Sequence, residues 1–520
     1  MVGPQLATML EYRSESQMCW PGLARLLRGS FAKSVGILAG GTVVAQGIVV
    51  LASPLLTRIY TPNDFGLLGI YGSFVMLATS IATLRYELAI PLPKKSETAI
   101  ALLYLALGAV AVTGLLLGVV LWYWGGSIAD LIGIDAIRRY YWLVVAGTVG
   151  AGANSAFSYW AVREKRFGII SRTRVTRNAS QVAVQLGGGV AGFGPLGLLL
   201  GDALGRVGGT WRIAAQFLEE TPRNVGRAAM KRLVYAAVRY RRFPLLMAWA
   251  TLLNVGSIQI PLLLISYYFG AAQLGLYALT HRVLTLPASL IGHAVGQVFL
   301  ADASRVSGDP YRLAIFTRKV AITLYAVALP LMLVVGFAAP ELFEMVFGAS
   351  WRPAGQYAQI LAPWFLLWFV SSPLSGLLIV RELQGSSVLF TSLELLMRVA
   401  AIAIGGKVGS VNGAVALLSV TGAGISLAAI ARFARAASLP IVSLLGPVAK
   451  VTALNVPAAL GLAAAVMVTD VQWVVGGVGV MALVCSYSLT AKNIRRLTWQ
   501  SQSAHGEGHE RTGSRSVLSA

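Results

Sequence analysis

Apolar runs of about 20 residues, each closed by charge, proline or glycine, follow one another along nearly the whole chain, and that is the length a helix needs to cross a bilayer. Fourteen such runs can be drawn: 35–56, 65–90, 99–121, 139–161, 175–193, 195–217, 245–268, 276–300, 319–340, 357–380, 388–404, 410–431, 446–469 and 471–490. The gap at 193–195 is short enough to merge the fifth and sixth runs, and the last two could merge in the same way. The pattern predicts an all-α polytopic membrane protein.

Composition agrees. The 520 residues are 56% apolar and 12% charged, with a mean hydropathy of +0.71. Soluble domains run near 45–50% apolar and about 25% charged, so a water-soluble globule is excluded. Two cysteines, Cys19 and Cys485, cannot build a disulfide framework. Cys485 lies in an apolar run and reads as a small buried hydrophobe.

The charge is strongly positive, with 42 Lys and Arg against 20 Asp and Glu and a net +22. In a soluble chain this would suggest a nucleic-acid partner. Here position decides. Across the fourteen runs, 32 basic residues fall on one side, 5 on the other (Arg58, Arg138, Arg139, Arg352 and Lys407), and 5 inside runs. The positive-inside rule then puts both termini in the cytoplasm, and no nucleic-acid role is needed. The first 34 residues show no uninterrupted apolar region before a cleavage site, so the first span is expected to act as an uncleaved signal. The tail, 491–520, is polar and expected to be disordered. Between the halves, MKRLVYAAVRYRR centres a basic amphipathic linker, 218–244, expected to lie on anionic inner-leaflet lipids.

Particular strings carry a resemblance. LTRIYTPNDFGLLGIY (56–71) followed by ATLRYELAIPLP (82–93) resembles the N-terminal hairpin of bacterial polysaccharide flippases of the Wzx type, in the multidrug/oligosaccharidyl-lipid/polysaccharide (MOP) superfamily. YRRFPLLMAWATLLNVGSIQIPLLL (240–264), GLYALTHRVLTLPASLIGHAVGQVFLADAS (275–304) and LFEMVFGASWRPAGQYAQILAPW (342–364) extend it, so that it covers about 30–490. A weak internal repeat agrees: NDFGLLGIY at 63–71 aligns with AQLGLYALT at 272–280, an offset of 209, each after a run bearing a proline, Pro54 or Pro261. Six runs separate the copies, which preserves orientation and makes the repeat parallel. The expected domains are a cytoplasmic segment at 1–34, six-helix lobes at 35–217 and 245–431, and two appended helices at 446–490. The resemblance implies a MATE-like fold, with two bundles facing a cavity that opens alternately to either side.

Ionisable residues inside the runs are the strongest functional signal. A central Arg costs about 2.5–3.5 kcal/mol on insertion scales, so each must be repaid. The set is Arg85, Glu87, Arg177, Asp202, Arg206, His281, Arg282, His293, Glu394 and Arg398. Asp202 with Arg206, and Glu394 with Arg398, stand at i, i+4 and read either as intrahelical pairs that pack the bundle or as acids that couple proton or sodium movement. Glu87 and His281 are further coupling candidates. On a continuous helix Arg85 and Glu87, two residues apart, would point to different faces. Arg85, Arg177 and Arg282 have no acid at helical spacing in their own run; they either snorkel to the cytoplasmic boundary or line a cavity and bind phosphate through the guanidinium fork. His281 and His293 stand roughly 18 Å apart along a helix and cannot share a metal. Each is either a hydrogen-bonded core histidine or a cavity group, with His293 a candidate for the translocation path. Gly201, Gly205 and Gly209, and Gly292 with Gly296, recur every four residues and permit close helix contact. Pro54, Pro261, Pro287, Pro363 and Pro373 should bend their spans.

Enzymatic and metal motifs are missing. Gly192-Phe-Gly194-Pro-Leu-Gly197 matches a dinucleotide fingerprint in letters but has no strand or βαβ context, and no phosphate-binding P-loop, metalloprotease or nucleophile-elbow motif occurs. Neither cofactor nor enzymatic activity is expected. By resemblance the chain is a flippase for undecaprenyl-pyrophosphate-linked oligosaccharide in the bacterial inner membrane, with polysaccharide polymerase or chain-length machinery as possible partners. A drug/cation antiporter of the same superfamily, a lipid II flippase and a membrane glycosyltransferase or polymerase are the rivals.

Overall fold

The computed structural model describes residues 30–132, 135–208, 210–220, 227–287, 291–468 and 475–488, and these hold helices and no strand. The expectations for 1–29, for Gly209 and for the tail beyond 488 lie outside the described residues.

The N-terminal helices are α1 (Ser30–Ile59), α2 (Pro62–Ala82), α3 (Ser96–Ile132), α4 (Tyr141–Arg163), α5 (Phe167–Val190), α6 (Pro195–Gly208), α7 (Thr210–Glu220) and α8 (Arg227–Arg239). A π-turn at Phe243–Met247 leads into α9 (Ala248–Phe269), followed by α10 (Ala271–Pro287), α11 (His293–Arg305), α12 (Pro310–Phe347), α13 (Arg352–Leu374), α14 (Gly376–Val380), α15 (Gln384–Val408), α16 (Val411–Ala436) and α17 (Val442–Val468). A short apolar helix, α18 (Val475–Ser488), closes the described chain.

Each of the fourteen runs thus carries helix. Among the described residues nine segments are long and apolar enough to cross a membrane unaided. The other five have visible reasons. α5 carries Arg172, Arg174 and Arg177; the run 195–217 divides between α6 and α7; the run 276–300 divides between α10 and α11; α4 is diluted by small and polar residues; and α18 is short. Large apolar side chains such as Leu51, Leu115, Leu253, Val420 and Met467 lie exposed, as a hydrocarbon environment requires and water would not allow. The chain is a multi-pass membrane protein. Cys485 is exposed on α18 rather than buried, because that short helix turns its face outward.

Helix starts follow local chemistry. Thr61 and Asp64 form a reciprocal cap: the Thr61 backbone N–H donates to Asp64 Oδ2 at 2.9 Å, and the Asp64 N–H donates to Thr61 Oγ1 at 3.3 Å. Pro62 occupies the first helical position, where no N–H is needed. Asp309 caps α12 by accepting from the Tyr311 and Arg312 N–H groups, again with a proline next in line. All five prolines expected within spans lie inside helices.

The contacts divide the chain into two compact units. The first takes the described residues to Leu56 with Phe74–Gly125 and Arg139–Leu252; the second takes Thr57–Ser73, Gly126–Arg138 and the described residues from Leu253 onward. The core of the first gathers Tyr86, Ile90, Leu102, Leu103, Phe157 and Phe217. That of the second gathers Phe299, Leu313, Phe369, Leu374 and Phe433, and Tyr325 hydrogen-bonds Thr452 at 2.9 Å to tie α12 to α17.

In the first unit α5 and α6 approach backbone to backbone. A Cβ at Gly201 would stand 2.4 Å from Gln185 Cγ and 2.8 Å from the Gln181 carbonyl oxygen, and one at Gly205 would stand 2.9 Å from Gln181 Cβ. The small-residue spacing is therefore used for packing. Gly201→Val should lower the thermal unfolding midpoint in detergent by several degrees, whereas Gly187→Ala, on α5 with open space around its Cβ position, should leave it unchanged or slightly raised.

Candidate functional site

Two of the intramembrane charges of the first unit, Arg85 and Glu87, follow the end of α2. That helix stops at Ala82, Leu84 and Arg85 take left-handed backbone angles (φ 49 and 59), and Tyr86–Ala89 form a 3-10 turn. Two consecutive non-glycine residues in this region store strain of about 1–3 kcal/mol each. The reversal lets Arg85 Nη1 reach Glu87 Oε1 at 3.1 Å. The expectation that the two point to different faces is corrected, because it assumed a helix that the chain does not continue. Glu87 is 1% exposed and Arg85 25%. The second carboxylate oxygen, Oε2, is buried with no hydrogen-bond partner.

Asp202 and Arg206 do pair along α6, Nε to Oδ2 at 2.6 Å, with both side chains 12% exposed. Gln181 of α5 donates to Asp202 Oδ1 at 3.4 Å, so the pair also ties two helices together. Arg177 lies half-buried one turn before Gln181 on the same helix.

In the second unit Arg398 is the hub. Its Nη2 bonds Glu394 on the preceding turn of α15, its Nη1 donates to the Ser257 carbonyl of α9 at 3.4 Å, and its guanidinium lies 5.2 Å from the Trp364 ring centroid on α13. The His281 ring packs 6.0 Å from Tyr277 and 5.7 Å edge-on to Phe365. Three helices, α9, α13 and α15, therefore meet around one arginine, and α10 packs on α13 through His281 and Phe365. Arg282 is half-buried beside His281; the His293 side chain lies outside the described residues. Among the described residues no cluster of His, Cys, Asp and Glu could hold a metal.

A second arrangement, unseen in the sequence except as a repeat, joins the start of α2 to the start of α10. A Cβ at Gly66 would stand 1.8 Å from the Ala271 carbonyl oxygen, and a Cβ at Gly275 would stand 1.9 Å from that of Pro62. The two glycines are 209 residues apart, the repeat offset, and Pro62 and Ala271 are equivalents at the same offset. The contact is thus reciprocal between repeat-related positions. Trp351, fully buried, donates its indole N–H to the Thr57 carbonyl at 2.9 Å and stands edge-on to Phe65 at 5.0 Å. Ser73 and Gln259 bond at 3.2 Å further along.

Other arginines read as orientation markers have structural work as well. Arg163 donates to the Ile90 and Pro93 carbonyls, Arg318 to Ser443 and Arg381 to Ala436. They close helix ends and turns whose carbonyls have no intrahelical partner. An apolar groove of about 630 Å³ between α3 and α4, lined by Ala111, Gly114, Leu115, Val119, Trp122 and Val149 among others, is touched by none of the intramembrane charges.

Comparison with known proteins places these features. A family model described as polysaccharide biosynthesis protein matches residues 55–356, more than half of the chain. The chain belongs to that family. A solved structure described as the lipid II flippase MurJ in an inward closed conformation shares the fold with a TM-score of 0.68 at 11% identity, covering 88% of this chain and 98% of its own. An inward-facing multidrug resistance MATE transporter of the MOP superfamily does so with a TM-score of 0.56 at 12% identity, over 76% and 94%. No curated protein matches the sequence. The chain therefore shares its fold with these two membrane proteins.

Two outcomes test the geometry. Arg85→Ala removes the counter-charge of a buried carboxylate and should cost about 3 kcal/mol of stability; adding Glu87→Gln should recover most of it in a thermal or chemical unfolding series. Gly66→Val should raise amide hydrogen exchange at both 61–70 and 270–278 while leaving α5 and α6 unaffected.

Proposed function

We propose that this protein moves an undecaprenyl-pyrophosphate-linked oligosaccharide from the inner to the outer leaflet of the bacterial inner membrane for surface polysaccharide assembly. The observation that carries this reading is the family match in a chain folded like a lipid-sugar flippase. The intramembrane charges suit the cargo. Five arginines stand against three acids in the spans, an excess of two positive charges for an anionic pyrophosphate. A membrane potential negative inside favours outward movement of an anion by about 2.3 kcal/mol per charge per 100 mV.

The two six-helix lobes would open alternately to either side. The basic residues orient the starts of α2 and α10 toward the periplasm, so their glycine contact would close that side. Arg85, Arg177, Arg282 and His293 would line the path; Glu87, Asp202, Glu394 and His281 would exchange a coupling ion. A polymerase acting on the delivered units is the natural next partner. The likeness to a lipid II flippase makes lipid II a second cargo to be tested. A drug or cation antiporter would call for an acidic path, which this charge set does not supply.

Deleting the gene and analysing lipid-linked intermediates tests the reading: surface polymer should be lost and undecaprenyl-linked repeat units should accumulate. Accumulated lipid II with intact polymer would assign the second cargo, and altered drug susceptibility with neither would overturn both. Arg85→Ala or Arg282→Ala, inserted at wild-type level, should abolish surface polymer; unchanged polymer in both would remove them from the path.

A further inference from the structure

Helix α8 shows three stripes. Leu233, Ala236 and Tyr240 face inward, Ala236 fully buried, and pack on the core of the first unit. Met230, Val234 and Val238, at i, i+4 and i+8, are 57–64% exposed and touch no core. Lys231 and Arg239 stand at the same spacing one residue on, and both are exposed, as is Arg232. An outward apolar stripe beside a basic one is unusual on a surface that meets only water.

Two observations fix what covers it. Just beyond the turn that follows α8, Leu245, Leu246 and Trp249 are exposed at 63%, 66% and 64% at the start of the spanning segment Phe243–Phe269. Met230, Val234 and Val238 thus stand on a helix joined by a short turn to a segment whose exposed apolar side chains require hydrocarbon. The charge beside it is basic: Arg239 stacks 5.7 Å from the Tyr240 ring, Arg241 and Arg242 follow, and Arg232 pairs with Glu97 at 3.2 Å. A helix with this order of faces lies in the interface, with its apolar stripe at the acyl boundary and its basic stripe among headgroups.

We infer that α8 is a binding surface for anionic phospholipid of the leaflet it lies on, selecting phosphatidylglycerol over zwitterionic lipid through Lys231, Arg239 and Arg242. The inference is independent of the cargo, since it uses none of the intramembrane charges. It does give the first unit a fixed depth, because the same helix is locked to the core through Ala236.

The test uses the full chain in nanodiscs of phosphatidylglycerol and phosphatidylcholine. Native mass spectrometry should show retained phosphatidylglycerol on the wild type and a selectivity lower by at least tenfold on Lys231→Gln/Arg239→Gln/Arg242→Gln, which leaves the Arg232 to Glu97 pair intact. Each basic residue near an anionic surface is worth roughly fivefold. In a Cys19→Ser/Cys485→Ser background, a fluorophore on Val234→Cys should be quenched by brominated lipid. Equal lipid selectivity in both proteins, or a label that is unquenched and open to charged thiol reagents, would overturn the inference. A label shielded without lipid quenching would assign the stripe to a second copy and overturn it equally.

Discussion

An ionised side chain in hydrocarbon costs about 2.5–3.5 kcal/mol even by the mildest scale, and the described spans are shaped around that cost. Each intramembrane acid has an arginine of its own segment against it: Glu87 has Arg85, Asp202 has Arg206, and Glu394 has Arg398. Local neutralisation sets backbone shape as well as charge. Where the partners stand four apart the helix runs on, and where they stand two apart it cannot. At Arg85 and Glu87 the chain leaves the helix, turns left-handed for two residues and brings the charges together.

Pairing does more than neutralise. Arg398 also reaches the Ser257 carbonyl and the Trp364 ring, and Asp202 also accepts from Gln181. Each pair is thereby a joint between helices, which a purely apolar contact in lipid would not fix in register. A buried pair of this kind gains little net stability against apolar packing, since desolvation offsets most of the attraction. Its value lies in specifying one arrangement of the helices that it joins.

Most of the helices were legible because hydrophobic length is a strong signal and i, i+4 spacing a faithful one. The pairs on α6 and α15 stand as the spacing implied. The break after Ala82 was not legible from helix breakers, since ATLRYEL holds neither glycine nor proline. The signal was electrostatic: opposite charges two apart in an apolar run cannot meet on a helix, so their presence argues that the helix ends. The runs 195–217 and 276–300 read as single spans because hydropathy averages across the short interruptions where α6 gives way to α7 and α10 to α11. Cys485 was misread for a related reason, as hydropathy measures apolarity and not which side of a helix meets lipid.

The glycine contact is where sequence and structure say most together. Nine aligned positions are a thin basis for a repeat, yet Gly66 and Gly275 meet, each against the other copy's equivalent of Pro62 or Ala271. Backbone packed on backbone buries little side-chain volume, so no interdigitated core must be torn apart to separate it. The same closeness tolerates no Cβ. A joint made this way holds its position by shape at small cost in contact energy, and Trp351, bonded to the Thr57 carbonyl, adds one directional bond beside it. On the alternating-access reading that is the balance a closure needs: exact enough in fit to seal, weak enough in energy to release within each cycle.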